Sequence, residues 1–378
     1  MRKNDPVFWE PTLEAWVITR YTDVKAVLSD DRFSVNRNSR IRKATPEAAK
    51  ASLAACYEHL DKWMIFTDEP AHKKLRSVLG PAYTAAAVRR FVPEIAELVD
   101  TLMRPGVANG GMDVIADLGV ELTGIINARR VGFPVDMVDQ ARQWSDDVFL
   151  LFGSGIVTEE IVDRALRSLR ECHDYGFELL RECDRETDNL INRLASAVDD
   201  GIMSEDQVAA SCAMLMIGGH EAARHMIGNG LLALLAYPDQ LAKFRDQPEL
   251  ADQTIEELLR WGSPPLSSLR CAATDVELDG KIIRQGDFVL SMLRAGNHDP
   301  AVFTRPDDID IERPPKKHLG FGFGLHFCTG YSLATAQVKL ALHALVKNNP
   351  QLAISQSSLE WIPSLSSRGV RSLPIKFG

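Results

Sequence analysis

The residue with the clearest chemical setting is Cys328, which lies in the segment FGFGLHFCTG from Phe321 to Gly330. Glycines on both sides of this cysteine let backbone N–H groups approach its sulfur, because glycine tolerates φ > 0. An apolar stretch with helical spacing follows, and a helix N-terminus favours thiolate over thiol. The segment therefore predicts a thiolate that binds a metal. A structural zinc site needs about four protein ligands, whereas this segment offers one cysteine and one histidine, His326.

Two short helical patterns pair a basic residue with an acid or with a second base. Glu257 and Arg260 lie three positions apart, on one face of a predicted helix. Alone, such a pair is a common exposed contact worth about 0.2–0.5 kcal/mol. His72 and Arg76 lie four positions apart after Pro70, a residue that suits the first turn of a helix. Without further context, this second pair could also be the solvated basic start of a helix.

The longest predicted helix covers residues 205–236 and carries an acid beside two glycines. Residues 209–217 are small or apolar on all sides, which predicts a helix buried in the centre of the protein. At 1.5 Å per residue the helix would be roughly 48 Å long. Gly218 and Gly219 lie just before Glu221. Taken alone, this acid could simply be a buried side chain paired with an arginine or with the backbone.

The rest of the chain is mostly helical in pattern, with short strand-like pieces towards its end. We predict helices at 46–62, 249–261 and 330–348, strands within 277–291, a strand pair near 353–376 and an irregular proline-rich stretch at 299–318. No Ser/Gly/Pro-rich linker, charge block or fixed-period repeat divides the sequence. We therefore predict a single domain over residues 1–378.

The composition excludes several classes of protein. Of the 378 residues, 45% are hydrophobic, which is enough to bury a large core. The net charge of −9 argues against nucleic acid as a partner. No apolar run near the N-terminus is long enough for a signal peptide or a membrane anchor, so we expect a cytoplasmic protein with no membrane partner. The six cysteines form no CxxC pair, and disulfides are not expected in a reducing compartment.

Taken together, these motifs resemble those of the cytochrome P450 superfamily, in its soluble bacterial form. The segment from Phe321 to Gly330 matches the pattern FGxGxHxCxG at every fixed position. Glu257 to Arg260 matches ExxR, and Asp68 to Arg76 matches D-x-P-x-H-x-x-x-R. Gly218 to Ala223 matches A/G-G-x-D/E-T-T in part. The resemblance covers nearly the whole chain and implies the cytochrome P450 fold, which is mainly α with small β sheets.

The resemblance implies a haem b cofactor whose iron is bound by Cys328. A thiolate ligand donates electron density to the iron and favours O–O cleavage of dioxygen. The resemblance also implies that Glu257, Arg260 and Arg313 form a buried network that holds the irregular segment before the cysteine loop. The other implied cofactor-binding residues belong to the loop or pair with the haem propionates: Phe321, Gly322, His326, Gly330, His72, Arg76 and Arg270.

On the oxygen side of the haem, the resemblance implies a catalytic group at Gly218, Gly219, Glu221 and Ala222. In this family the glycines let dioxygen and haem approach the backbone, and an acid and a threonine guide protons. Here Ala222 stands in the place of the threonine. Three substitutes stay open: a substrate hydroxyl or ordered water, a reaction that needs fewer protons such as radical coupling of the substrate, or peroxide as the oxidant. We predict the first.

The implied reaction is the oxidation of a small organic substrate of biosynthetic type by O2, with hydroxylation as the expected outcome. The chain has no flavin or iron–sulfur motif, so electrons must come from another protein, by family analogy a ferredoxin served by a ferredoxin reductase. Lys73, Lys74, Lys316 and Lys317 could steer this partner, or could be ordinary solvated lysines. The alternatives are an oxidative-coupling or peroxide-driven haem-thiolate enzyme and, from another class, a non-catalytic haem sensor, against which Glu221 argues.

Overall fold

The structure is mainly helical, as the sequence predicts. The computed structural model describes residues 2–36, 47–153, 157–347 and 349–378, and it is 58% helical with small sheets. The α-helices of these residues are α1 (Tyr21–Ser29), α2 (Lys50–Leu60), α3 (Ala71–Leu79), α4 (Ala85–Arg89), α5 (Val92–Asn109), α6 (Glu121–Val131), α7 (Val138–Gly153), α8 (Glu159–Glu182), α9 (Leu190–Asp199), α10 (Glu205–Gly218), α11 (Glu221–Ala236), α12 (Pro238–Asp246), α13 (Ala251–Gly262), α14 (Leu293–Asn297) and α15 (Tyr331–Lys347). None of these helices is both long enough and apolar enough to cross a membrane.

Short strands form the small sheets. The strands of the described residues are β1 (Val7–Glu10), β2 (Ala15–Ile18), β3 (Phe33–Ser34), β4 (Gly111–Asp113), β5 (Ser268–Ala272), β6 (Val276–Leu278), β7 (Lys281–Ile283), β8 (Phe288–Ser291), β9 (Ala353–Ile354) and β10 (Pro374–Lys376). The largest sheet has the order β1-β2-β8-β5-β3, and β2 runs parallel to β8 with Val17 opposite Leu290. The hairpin of β6 and β7, which lies within the strands predicted at 277–291, turns at Asp279 and Gly280, whose φ values of 54° and 72° suit a tight turn.

Most of the predicted elements are present, but the longest predicted helix is divided. The helices predicted at 249–261 and 330–348 are α13 and α15. The helix predicted at 46–62 begins as a short 3-10 turn at Glu47–Ala49 and continues as α2, while residue 46 lies outside the described residues. The predicted strand pair near 353–376 is β9 with β10. The single helix predicted over 205–236 is wrong at Gly219 and His220, which form a turn between α10 and α11.

Two compact units are distinguished within the chain. The first comprises residues 1–33, 88–122 and 222–378, and the second comprises residues 34–87 and 123–221. A hydrophobic core of the first unit packs α1 against the large sheet, with Val24, Val289 and Leu319 fully buried. The single domain predicted over residues 1–378 stays a prediction.

The second unit is built around α10, which the sequence predicts to be buried on all sides. Its residues from Val208 to Met214 are all buried. Ser204 begins the helix with a capping box, in which its Oγ accepts from the N–H of Gln207 at 3.2 Å. α8 packs closely on α10 because Gly176 has no side chain, and a Cβ there would lie 2.8 Å from the Cα of Ala209.

Candidate active site

The cysteine loop is shaped by two glycines with left-handed backbone conformations. Gly322 has a φ of 73° and Gly324 a φ of 74°, which non-glycine residues rarely adopt. A Cβ at Gly324 would lie 2.5 Å from the carbonyl oxygen of Leu28, whereas the nearest atom to a Cβ at Gly322 is 3.7 Å away. The loop closes because the N–H of Cys328 donates to the carbonyl of Phe321 at 3.0 Å. The sequence thus requires glycine most strictly at position 324.

Cys328 is exposed and lies just before the first turn of α15, which begins at Tyr331. The N-terminus of a helix carries a partial positive charge that favours a thiolate. Gly330 leaves space beside the sulfur, since a Cβ there would lie 3.9 Å from Sγ of Cys328. His326 is half-buried in the 3-10 turn Gly324–His326 that precedes the cysteine.

An aromatic contact fastens this loop to α13. The ring of Phe321 meets the ring of Tyr331 edge to face, with centroids 5.0 Å apart. The hydroxyl of Tyr331 donates to Oε1 of Glu256 at 2.6 Å. Burial and this hydrogen bond raise the pKa of Tyr331, so its phenol keeps the proton that it donates. No pattern in the sequence marks Tyr331 or Glu256 as a support of the loop.

The structure brings Glu257, Arg260 and Arg313 together in one buried network. The side chains of Glu257 and Arg260 are 4% and 2% exposed, and Nε and Nη2 of Arg260 donate to the carboxylate at 2.7 and 2.9 Å. Nε of Arg313 lies 3.0 Å from both oxygens of the same carboxylate. Arg260 also donates to the backbone carbonyls of Pro306 at 2.7 Å and Asp308 at 3.0 Å. The network therefore fixes the irregular segment before the cysteine loop to α13.

His72 and Arg76 lie in the second unit on α3, and Arg270 lies in the first unit on β5. His72 is 2% exposed, and burial lowers its pKa although its Nδ1 is 3.6 Å from Oε1 of Glu69. Arg76 is half-buried one turn later in the same helix. Arg270 is buried and donates to Oγ of Ser268 at 2.7 Å. Each of these side chains carries donors that suit carboxylates.

The acid-bearing segment occupies the interruption between α10 and α11. Gly218 ends α10, Gly219 and His220 form the turn, and Glu221 begins α11. Glu221 is 7% exposed and His220 is 1% exposed. Ala222 follows with no hydroxyl. The sequence thus places a buried acid at a point where the helix is not continuous.

The metal-binding side chains present fit an iron that receives most of its ligands from a cofactor. Among the described residues, no group of three or more His, Cys, Asp or Glu side chains could hold a metal ion. A haem iron needs few ligands from the protein, and the exposed thiol of Cys328 could supply one. Burial raises the pKa of Cys56 and of Cys212 to about 12, so neither forms a thiolate at neutral pH.

Comparison with known proteins identifies the family. The family model described as cytochrome P450 matches residues 7–349. The chain belongs to the cytochrome P450 family. It is 34% identical over 373 residues to nocardicin C N-oxygenase of Nocardia uniformis subsp. tsuyamanensis, covering 96% of this chain and 89% of that protein. The crystal structure of CalO2 is similar with a TM-score of 0.91 and 35% identity, covering 100% of this chain and 94% of that one.

A second solved structure was determined with a carrier protein. P450BioI in complex with hexadec-9Z-enoic acid ligated acyl carrier protein has a TM-score of 0.91 and 29% identity, covering 100% of this chain and 96% of that one.

Membership of this family makes the protein a P450 monooxygenase, and its cofactor is haem b, which P450s bind through a cysteine thiolate. The predicted family, fold, enzyme class and cofactor are confirmed. Bacterial P450s use redox partners.

Other residues of this P450 at the helix interruption were not found from the sequence. Asn127 and Ser145 are buried polar residues on α6 and α7 that donate to backbone carbonyls of α10. In the sequence, each is one of several polar residues in a helical stretch, with no motif around it. Only the fold shows what these side chains bind.

Proposed function

We propose that this P450 hydroxylates a small biosynthetic molecule, and that the thiolate of Cys328 would hold the haem iron. The observation that carries the proposal is the exposed thiol of Cys328 in a glycine-shaped loop at the start of α15. The names of its relatives support the substrate class, since they include an N-oxygenase of nocardicin C and a cytochrome P450 of biotin biosynthesis. The net reaction places one oxygen atom of O2 in the substrate and releases the other as water, with two electrons and two protons.

Four basic side chains would hold the haem edge, and three other residues would shape its loop. When bound, the haem supplies the activation of dioxygen. His326, Arg270, His72 and Arg76 each carry donors that suit a propionate. The loop residues Phe321, Gly322 and Gly330 would position Cys328.

Proton delivery depends on Glu221, which would hold and release a proton at its carboxylate. Gly218 and Gly219, which precede this acid by three and two residues, leave the backbone there without side chains. Because Ala222 has no hydroxyl, a hydroxyl of the substrate or an ordered water would complete the path. Full coupling of NADPH to product on substrates that lack any polar group near the oxidised carbon would contradict this part of the proposal. Radical coupling of the substrate and peroxide as the oxidant are then the alternatives.

Electrons would come from a ferredoxin and its reductase. Lys73 and Lys74 are exposed on α3, and Lys316 and Lys317 are exposed before the cysteine loop. Basic residues on a protein of net charge −9 can steer an acidic partner. Charge reversal at Lys73 and Lys74 should slow ferredoxin-supported turnover most at low salt. Turnover that is unchanged at every salt concentration would remove these two lysines from the docking site.

The reduced CO-difference spectrum tests the central assignment. The wild-type protein should show the Soret band of a thiolate-ligated haem, and Cys328→His should lose it. Cys271→Ser is the matched control, because Cys271 is a half-buried cysteine of the same unit and should keep the band. A thiolate band that persists in Cys328→His would overturn the assignment of the ligand. Substrate-induced spin shifts across a library of biosynthetic intermediates would then narrow the substrate class.

A substrate attached to a carrier protein is the second candidate. The complex of P450BioI with an acylated acyl carrier protein supports it, at 29% identity over the whole of this chain. The same library should therefore include carrier-bound forms of each compound. A spin shift with a carrier-bound acid but not with the free acid would favour this candidate. Location in the cytoplasm stays a prediction.

A further inference from the structure

The interruption between α10 and α11 is held by side-chain donors from neighbouring helices of the second unit. Asn127 lies on α6 and is 4% exposed. Its Nδ2 donates to the carbonyl of Leu215 at 2.9 Å and to that of Met216 at 3.2 Å. The amide lies directly against Gly219, where a Cβ would be 2.8 Å from Oδ1 of Asn127. The glycine therefore allows this side chain to reach the end of α10.

Two hydroxyls extend the same pattern along the segment. Ser145 lies on α7 with no exposed surface, and its Oγ donates to the carbonyl of Ile217 at 2.9 Å. Thr123 on α6 is also fully buried, and its Oγ1 is 3.3 Å from the carbonyl of His220 and 3.3 Å from Nδ1 of the same residue. The carbonyls of residues 215, 216, 217 and 220 thus each have a side-chain donor from α6 or α7.

Three of the carbonyls that these donors bind lie at the end of α10, just before the interruption. In a continuous α-helix the carbonyls of Met216 and Ile217 accept from the N–H groups of residues 220 and 221. Those two residues lie at the turn and at the start of α11. A buried carbonyl without a donor is unfavourable, so the donors from α6 and α7 stabilise the end of α10 where the helix is interrupted. Ala222 has no hydroxyl that could bond to a carbonyl of the preceding turn.

We propose that Asn127 and Ser145 are positioning residues that hold the interruption at Gly219 and so fix the place of Glu221. The inference rests on the proposed function insofar as it assigns Glu221 to proton delivery. Neither residue contacts the reacting atoms in this scheme, and both act through the backbone of residues 215–217. The hydrogen bonds from α6 and α7 replace the support that a hydroxyl at position 222 would give.

Hydrogen–deuterium exchange of the haem-loaded protein tests the backbone part of this proposal. Asn127→Leu and Ser145→Ala should speed exchange of the amides at 216–222, by about tenfold for Asn127→Leu, which corresponds to ~1.4 kcal/mol. Asn192→Leu is the control, because Asn192 is also a buried amide of the second unit, but it donates to Asp184 and to the carbonyl of Thr187. If the amides at 216–222 exchange no faster in Asn127→Leu and Ser145→Ala than in this control, the proposal is overturned. If Asn127→Leu fails to fold, Ser145→Ala gives the same test with a smaller change of shape.

The fate of O2 without any organic substrate tests the link to Glu221. With a surrogate ferredoxin, its reductase and NADPH, each O2 becomes either one H2O2 at the expense of one NADPH or two waters at the expense of two. A displaced Glu221 should raise the H2O2 released per NADPH. The yield of Asn127→Leu should therefore rise towards that of Glu221→Gln, while the yield of Asn192→Leu should match that of the wild type. Adding Ala222→Thr to Asn127→Leu supplies a hydroxyl. The H2O2 released per NADPH should then fall part of the way back to the wild-type value.

The two experiments separate the failure of this inference from the failure of the proposed function. Faster exchange at 216–222 with an unchanged H2O2 yield would refute the role of Asn127 and Ser145 in placing Glu221. The absence of a thiolate Soret band in the wild type would refute the proposed function. Exchange at 216–222 would still decide whether these side chains hold the interruption.

Discussion

Glu257 and Arg313 should contribute to the free energy of unfolding in a strongly coupled way, because they belong to one buried network. Glu257 accepts from Arg260 and from Arg313 in a site where its own side chain is 4% exposed. Glu257→Gln keeps the shape of the side chain but leaves two guanidiniums without a counter-charge, and removing one partner of a buried ion pair costs about 3–5 kcal/mol. Arg313→Met leaves Glu257 paired with Arg260 and should cost about 1.5–3 kcal/mol, the range for a hydrogen bond to a charged group.

Because the two side chains contact each other, their effects should not add. The free energy of unfolding of the double variant should fall by less than the sum of the single losses, with a difference of about 0.5–3 kcal/mol. Urea unfolding of the haem-loaded protein, followed by circular dichroism, measures all four proteins. Arg142→Met is the control, since its 3.4 Å pairing with Asp139 is exposed and should contribute little. Additive single effects, or a Glu257→Gln protein as stable as the control, would refute the reasoning.

Three further predictions concern the cysteine loop and two titratable groups of the first unit. Gly324→Ala should destabilise the protein more than Gly322→Ala, because both have left-handed φ but a Cβ at 324 would lie 2.5 Å from the carbonyl oxygen of Leu28; thermal unfolding and haem retention check this. Burial lowers the pKa of His225 to about 3, so between about pH 6.5 and 3 only the unfolded chain binds its proton. Stability should therefore fall by about 2 kcal/mol from pH 7 to pH 5 through this group, and His225→Phe should remove that part of the slope in urea titrations. Burial opposes ionisation of Asp113, but hydrogen bonds to its carboxylate lower its pKa overall. Asp113→Asn should thus lose stability at pH 7, and its gap from the wild type should close below about pH 4 in the same titrations.

Three outcomes would contradict these predictions. Equal losses for the two glycine replacements would show that the carbonyl of Leu28 moves away at no cost. A pH slope that survives in His225→Phe would assign the acid sensitivity to other groups. A constant gap between Asp113→Asn and the wild type down to pH 3 would mean that the carboxylate charge at this position does not contribute to stability.

The sequence predicts the cysteine loop and most helices because their signals are local. Glycines at 322 and 324 and the apolar spacing after Tyr331 lie within a few residues of the feature that they determine. Arg313 was assigned to its network only through the family resemblance, because it lies 56 residues from Glu257. No local pattern links the two.

The interruption of the long helix could not be predicted in this way. The apolar residues of α10 favour a continuous buried helix, and the two glycines alone do not say where it ends. What decides the matter is the presence of donors on other helices: Asn127 is 88 residues from Leu215, and Ser145 is 72 residues from Ile217. Tertiary contacts of this kind override helix propensity.

The pairing of β2 with β8 has a consequence for how the protein is made. Trp16 on β2 donates to Asp287, 271 residues later in the chain, at 3.0 Å. At about 5–20 residues per second, a ribosome needs roughly 15–55 s to deliver the partner strand. The whole sequence of the second unit, which ends at residue 221, leaves the ribosome within that interval. Meanwhile β2 presents an unpaired edge that other chains can bind, so slow translation after residue 221 should increase aggregation of the nascent protein.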